Sequence, residues 1–347
     1  MMPTARSILA QSMVVGLPGP AASDRELRLV GSEGLGGVIL FSRNIESPAQ
    51  VWELNYRLRR AAAEAERPPL FVMLDQEGGS VARLHEPFCD GPDMVDLGKA
   101  SRQDLHDHGA RMGRELKAAG FNWNLAPVLD VHAVADGIMA RRSLGPDPEK
   151  VAELGAAFIA GQQEAGCLAC AKHFPGLGRT TADTHQERPR VGLSRSQLEA
   201  VEFKPFKRAA ADGVAGIMIC HAVFEALDPD HPASLSKTVI QDVLRQECGF
   251  NGLVLSDDLE MGALAAEMEP DQAAVQAYLA GCDLLLVCHR ADLALKALDH
   301  LVELAEAGDI SQERLWDTHN RIQAVKSRVE ALPGGLGELW AALNKKA

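Results

Sequence analysis

Lys172 and His173 stand together at the end of an apolar run, Cys167 to Ala171, and Ser256-Asp257-Asp258 closes another, Gly252 to Leu255. A cation, an imidazole and paired carboxylates at the ends of buried strands can bind hydroxyls, transfer protons and supply a nucleophile. Asp75, Asp130 and His221 end or follow three further apolar runs. Asp257 and Asp258 cannot play equal roles, because neighbours on a strand face opposite ways. If Asp257 enters a strand-end mouth, Asp258 turns toward helix packing or a backbone amide, and one of the two is a candidate nucleophile. Between His173 and Pro189 the chain is rich in glycine and small polar residues without hydrophobic periodicity, so a long, mobile loop is expected. Within it, Asp183 precedes His185 by two residues. That spacing fits a carboxylate orienting a proton-transferring imidazole, and equally a solvated turn pair.

Eight strand-like runs would position these groups: Gln11 to Gly16, Gly37 to Phe41, Leu70 to Asp75, Trp123 to Leu129, Leu168 to His173, Ala215 to His221, Leu253 to Asp257 and Asp283 to Cys288. Most are near-continuous apolar stretches, as expected of parallel strands covered on both faces. Helix starts fall between them. Ser47-Pro48 and Asp147-Pro148 each pair a cap with proline at the first helical position, and Ser194 to Gln197 has capping-box spacing, with a weaker relative at Ser101 to Asp104. Strands alternating with helices predict an α/β fold, a (β/α)8 barrel. A doubly wound sheet with a second domain is the alternative, but no linker supports it. The expected organisation is a single domain over residues 1–347, with a C-terminal helix at about 311–331 packed on the barrel. In a barrel, chemistry gathers at the C-terminal strand ends, where the polar residues above would converge.

Composition narrows the partners. Acidic residues outnumber basic ones, 48 to 35, and the cations are scattered, which argues against nucleic acid. No apolar run approaches the roughly 20 residues of a spanning helix, so a soluble protein with no membrane partner is expected. Met1 to Arg6 lacks the pattern of a secretory leader, which makes the cytoplasm the expected compartment. Seven cysteines at irregular spacing, mostly within apolar runs, read as buried free thiols. The Cys167-x-x-Cys170 pair sits in a strand, where residues three apart face opposite ways, so it is not read as a metal or redox motif. Asp104, His106, Asp107 and His108 crowd one helix start without sharing a face and read as solvated. No phosphate loop, nucleotide fingerprint or H-E-x-x-H occurs, so neither a metal nor an organic cofactor is implied. Asp130, His221 and His289 fit either pocket lining or backbone bonding and stay unassigned.

The runs Ile39 to Asn44, Asp75 to Gly79, Leu125 to Val131, Arg142-Ser143 with Gly145 to Pro148, Lys172 to Gly176, Asp183 to His185, and Ser256 to Leu259 with Met261 resemble glycoside hydrolase family 3. More narrowly they resemble its bacterial β-N-acetylhexosaminidase branch, over nearly the whole chain and in order. The resemblance implies a TIM barrel and a retaining mechanism with Asp257 as nucleophile. It implies His185, paired with Asp183, as general acid/base, and Asp75, Arg83, Arg142, Lys172 and His173 as sugar-binding positions. The implied substrate is a small carbohydrate, a terminal β-linked N-acetylglucosaminide such as an anhydro-muropeptide of peptidoglycan recycling. The chain departs from the usual pattern at Ser80, Leu144, Leu177 and Thr184, none of which is a proposed catalytic group. Phosphorolysis by the same residues and a non-catalytic sugar-binding barrel are the alternative readings. Oligomeric state is open, with a monomer the default expectation.

Overall fold

The computed structural model describes residues 3–132, 137, 139–180 and 189–344. Its centre is an eight-stranded parallel sheet: β1 Met13–Gly16, β2 Gly37–Leu40, β3 Phe71–Leu74, β4 Trp123–Asn124, β5 Leu168–Phe174, β6 Gly216–Ile219, β7 Leu253–Ser256 and β8 Leu285–Val287. Consecutive strands pair in order, and β8 returns to β1 with Met13 opposite Leu285. A parallel bridge between Leu255 and Leu284 joins β7 to β8, and Asp283 donates its amide to the Val254 carbonyl at 2.8 Å. The sheet closes on itself as a (β/α)8 barrel.

Period-two alternation divides the apolar residues between two layers. Val14, Ile39, Phe71, Met73, Trp123, Leu168, Cys170, Met218, Leu253 and Leu286 fill the barrel. Val15, Val38, Leu40, Val72, Leu74, Ala169, Ile217, Val254 and Leu285 face the helices outside. With both faces covered, the strands carry no polar alternation, and their continuous apolar runs follow from that. Cys167 and Cys170 fall into different layers, and all seven cysteines are buried and unpaired.

The helices begin where capping chemistry allows. Ser47 Oγ accepts the Gln50 amide at 3.2 Å to start Pro48–Glu64, and Asp147 accepts the Glu149 amide at 3.0 Å to start Pro148–Glu164. Ser101 with Asp104 and Ser194 with Gln197 form reciprocal capping boxes. Asp104 is thereby occupied, and His106 pairs with Glu164 at 3.0 Å.

The structure differs from expectation at several places. The run from Trp123 to Leu129 forms a ladder only over Trp123–Asn124, because Pro127 has no amide to donate. Its carbonyls still receive β5, with Cys170 donating to Ala126 at 3.0 Å and Lys172 to Pro127 at 3.2 Å. A short extra pair, Arg190–Val191 with Val223–Phe224, lies beside the barrel, and Thr238–Glu247 is wound as a π-helix. The helix expected at about 311–331 runs from Gln312 to Lys326, capped by Ser311, and is followed by a further helix, Leu336–Asn344.

The Gln312–Lys326 helix stops the barrel floor. Ile322 and Val325 join the interior layer. Lys326, fully buried, donates to the Gly36 carbonyl at 2.9 Å and the Pro69 carbonyl at 2.6 Å, with its ammonium 4.6 Å from the centre of the Phe71 ring. Burial nevertheless pushes the Lys326 pKa down to about 7. Arg314 and Arg321 reach Asp283 at 3.3 and 3.4 Å, tying the helix to the start of β8.

Candidate active site

Polar residues begin where the apolar strands end. Asp75 and Glu77 follow β3 by one and three residues, so the period of two sends both the same way. Lys172 and His173 come from β5, whose register shifts between Ala171 and Phe174. Such an irregularity re-aims side chains, and here two consecutive residues both reach the mouth. Asp257 follows β7, its amide held by the Ile219 carbonyl at 3.1 Å.

An ion network knits these elements together. Lys172 Nζ lies 2.8 Å from Asp75 Oδ1 and 2.7 Å from Glu77 Oε1. Arg142 grips Glu77 with two parallel bonds of 2.8 Å, and Arg83 reaches Asp75 at 3.3 Å. Burial alone would lower the Lys172 pKa, but the Asp75 and Glu77 carboxylates offset it and hold the ammonium above its ordinary value. Burial likewise works to raise Glu77, yet Arg142 and Lys172 hold it well below the usual carboxylate range. Asp75 is also held low, by Lys172 and then Arg83 against its burial. Charges so deep persist only because each meets an opposite charge with good geometry.

His173 is fixed from behind. Its Nδ1 lies 2.7 Å from Asp130 Oδ2, which also accepts the His173 amide at 3.2 Å, while Asp130 Oδ1 accepts the Leu177 amide at 2.6 Å. With the proton on Nδ1, Nε2 is left as an acceptor facing Arg142 at 3.5 Å. Asp258 turns to backbone amides, accepting those of Glu260 at 3.1 Å and Cys288 at 3.3 Å, and burial pushes its pKa up to about 6. Its own amide donates to Asp257 Oδ1 at 2.9 Å, which fixes the orientation of that carboxylate. His221 bonds to Ser234 and to the Asp258 carbonyl at 2.7 and 2.9 Å.

Beneath the segment leaving β5, Glu202 is buried in the π-helical turn Leu198–Glu202. One of its oxygens accepts from Arg179 at 2.9 Å, and the other has no partner among the described residues. Burial pushes Glu202 up to about 7.

The strand ends enclose a cavity of about 450 Å³, within the roughly 300–1,000 Å³ of small-molecule sites. Ile39, Leu125, Met218 and Leu286 form its apolar floor, and Met139, Leu177 and Met261 contribute apolar walls. Asp75, Arg83, Arg142, Lys172, His173 and Asp257 all line it. Asp183 and His185 lie outside the described residues. Glu77 and Asp130 are central to the network; Glu77 was not singled out in the sequence, and Asp130 was placed near the strand ends but left without a role. Glu77 was accessible from its spacing to Asp75, whereas Asp130 shows its importance only through the fold. The arrangement offers a carboxylate oriented by a backbone amide, donors and acceptors in fixed directions, and an apolar floor. It suits a small polyhydroxylated molecule with an apolar face. Among the described residues, no group of three or more His, Cys, Asp or Glu side chains is placed to hold a metal ion.

Comparisons with known proteins agree with this geometry. Residues 7–325 match the model of the glycosyl hydrolase family 3 N-terminal domain. A Beta-hexosaminidase of Alkalilimnicola ehrlichii is 38% identical over 321 residues, covering 90% of each chain. A family 3 β-N-acetylglucosaminidase from a Paenibacillus species superposes with a TM-score of 0.91 at 38% identity, over 94% of this chain and 63% of that one. NagZ from Neisseria gonorrhoeae, solved in complex with N-trifluoroacetyl-D-glucosamine, gives a TM-score of 0.80 at 28% identity, over 96% and 94%.

Proposed function

This chain belongs to glycosyl hydrolase family 3, and from that premise we propose that it is a retaining exo-β-N-acetylglucosaminidase. It removes terminal β-linked N-acetylglucosamine, with anhydro-muropeptides of cytoplasmic peptidoglycan recycling as the natural substrates. The observation that carries this reading is a carboxylate, Asp257, oriented by a backbone amide and sharing one cavity with a paired set of cations and anions. Asp75, Arg83, Arg142, Lys172 and His173 hold the sugar hydroxyls, which present donors and acceptors in rigid directions. Asp257 attacks the anomeric carbon as the bond to the leaving oxygen breaks, and His185, oriented by Asp183, protonates that oxygen. The same imidazole then takes a proton from water, whose oxygen displaces Asp257 and releases the sugar with its configuration retained. An imidazole suits both steps because its ordinary pKa of about 6.5 makes either protonation state accessible near neutrality.

The test is release of a chromogenic aglycone from an aryl β-N-acetylglucosaminide, comparing the wild type with Asp257→Ala in phosphate-free buffer and in added phosphate. The expected result is free N-acetylglucosamine in both buffers and a loss of roughly a thousandfold or more in kcat for the variant. Full activity in a folded Asp257→Ala protein would remove the nucleophile assignment. Sugar 1-phosphate as the product would replace hydrolysis with phosphorolysis.

A further inference from the structure

Arg43 stands just beyond the sugar cavity and is built into place. It lies in the 3-10 turn Ser42–Asn44, directly after β2. Buried Asn44 pins that turn by accepting the Phe41 amide at 2.9 Å and donating to the Leu17 and Gly19 carbonyls at 3.0 and 2.8 Å. From there Arg43 crosses above β1, donating from Nε to the Leu17 carbonyl at 2.8 Å and from Nη2 to the Cys288 carbonyl at 2.6 Å. Gly16, at the end of β1, makes the crossing possible. A Cβ there would fall 1.8 Å from the Cys288 oxygen and 2.9 Å from Arg43 Nη2.

A strap between strand ends would account for the two carbonyl bonds alone, but the surroundings add more. The Arg43 guanidinium carbon lies 4.6 Å from the centre of the Phe41 ring, and His289 stacks on that ring at 5.9 Å with 21° between planes. Phe41 and His289 line the cavity, so the cluster forms its outer rim. Most cations at the mouth already have a partner. Lys172, Arg142 and Arg83 meet Asp75 and Glu77, Arg290 meets Glu260 at 2.9 Å, and His289 Nε2 lies 3.6 Å from Asp258. Arg43 is exposed and pairs with no carboxylate among the described residues.

We propose that Phe41, Arg43 and His289 form a leaving-group platform that selects aglycones carrying a carboxylate. The guanidinium receives the carboxylate while the rest of the aglycone lies along Phe41 and His289. This rests on the glycosidase reading, in which the sugar occupies the inner cavity and the leaving group points outward.

The experiment compares kcat/KM for two aryl β-N-acetylglucosaminides, 3-(carboxymethyl)phenyl and its methylamide, whose methylene keeps the acidities of the two leaving groups close. The wild type should prefer the acid about fivefold, the upper end for an exposed ion pair. In Arg43→Gln the acid-to-amide ratio should fall to about one, whatever happens to the absolute rates, because each variant is its own reference. His289→Glu, at an exposed position on the rim, should push the ratio below one by placing a like charge on the platform. A wild-type ratio of one, or a preference that survives either substitution, overturns the platform while leaving the glycosidase reading intact. No turnover of either compound by the wild type overturns that reading, and the platform with it.

Discussion

Glu77 is the hinge of the site's electrostatics, since Lys172 and Arg142 both depend on its carboxylate. Glu77→Ala would leave buried cations facing one another, and breaking such a pair costs about 3–5 kcal/mol. The expected outcome is a fall of that order in stability from urea unfolding, with activity lost in whatever protein remains folded. Glu202 gives a prediction of the opposite kind. Its folded pKa of about 7 lies above the ordinary 4.5, so the folded state binds the extra proton between those values. Its contribution is therefore fully present below about pH 4.5 and is lost as pH rises through about 7. Glu202→Gln keeps the shape without the titration. The stability of the variant relative to wild type should grow across that window, by at most about 3 kcal/mol, and then level off. A difference that does not change with pH would show that Arg179 already neutralises the carboxylate.

The Gln312–Lys326 helix can be tested through the residue that anchors it beneath the barrel. Two carbonyls and the Phe71 ring favour the Lys326 ammonium, but burial outweighs them, so its pKa falls from 10.5 to about 7. The unfolded chain then binds more protons between those values, and the wild type should gain stability relative to Lys326→Met as pH rises from about 7 to 10. Parallel urea titrations of the two proteins would show the gap shifting in favour of wild type, and a constant gap would contradict it. The elements themselves were largely legible from their apolar runs and caps. Gly37 to Phe41 and Leu168 to His173 lie within one residue of β2 and β5, and the Ser47 and Asp147 caps fall as expected. Pro127 was a visible sign that the ladder of β4 would be interrupted, but not that it stops at Asn124, which depends on which amide faces which neighbour. Nor could local pattern reveal the register shift in β5 that turns Lys172 and His173 to one mouth. The role of Asp130, left unassigned in the sequence, stayed open for the same reason, because its value lies in contacts with His173 and Leu177 that exist only once β4 and β5 are adjacent.

Across the whole molecule, the cysteines report on integrity of the barrel. Burial pushes Cys167 and Cys282 up to about 12, so thiolate is scarce as well as inaccessible. A short iodoacetamide pulse should leave the folded protein without adducts and the denatured chain with seven, counted by intact mass. Early labelling of Cys170 or Cys288 would locate an opening of the barrel interior. The pairing of Met13 with Leu285 has a consequence for the chain during its synthesis. Strand β1 leaves the ribosome first, yet one of its edges has no partner until β8 follows. At roughly 5–20 residues per second, that wait lasts on the order of tens of seconds. Throughout it the nascent chain carries two open β edges, and a transcript that ends before β8 yields a protein that cannot close and is prone to edge-to-edge aggregation.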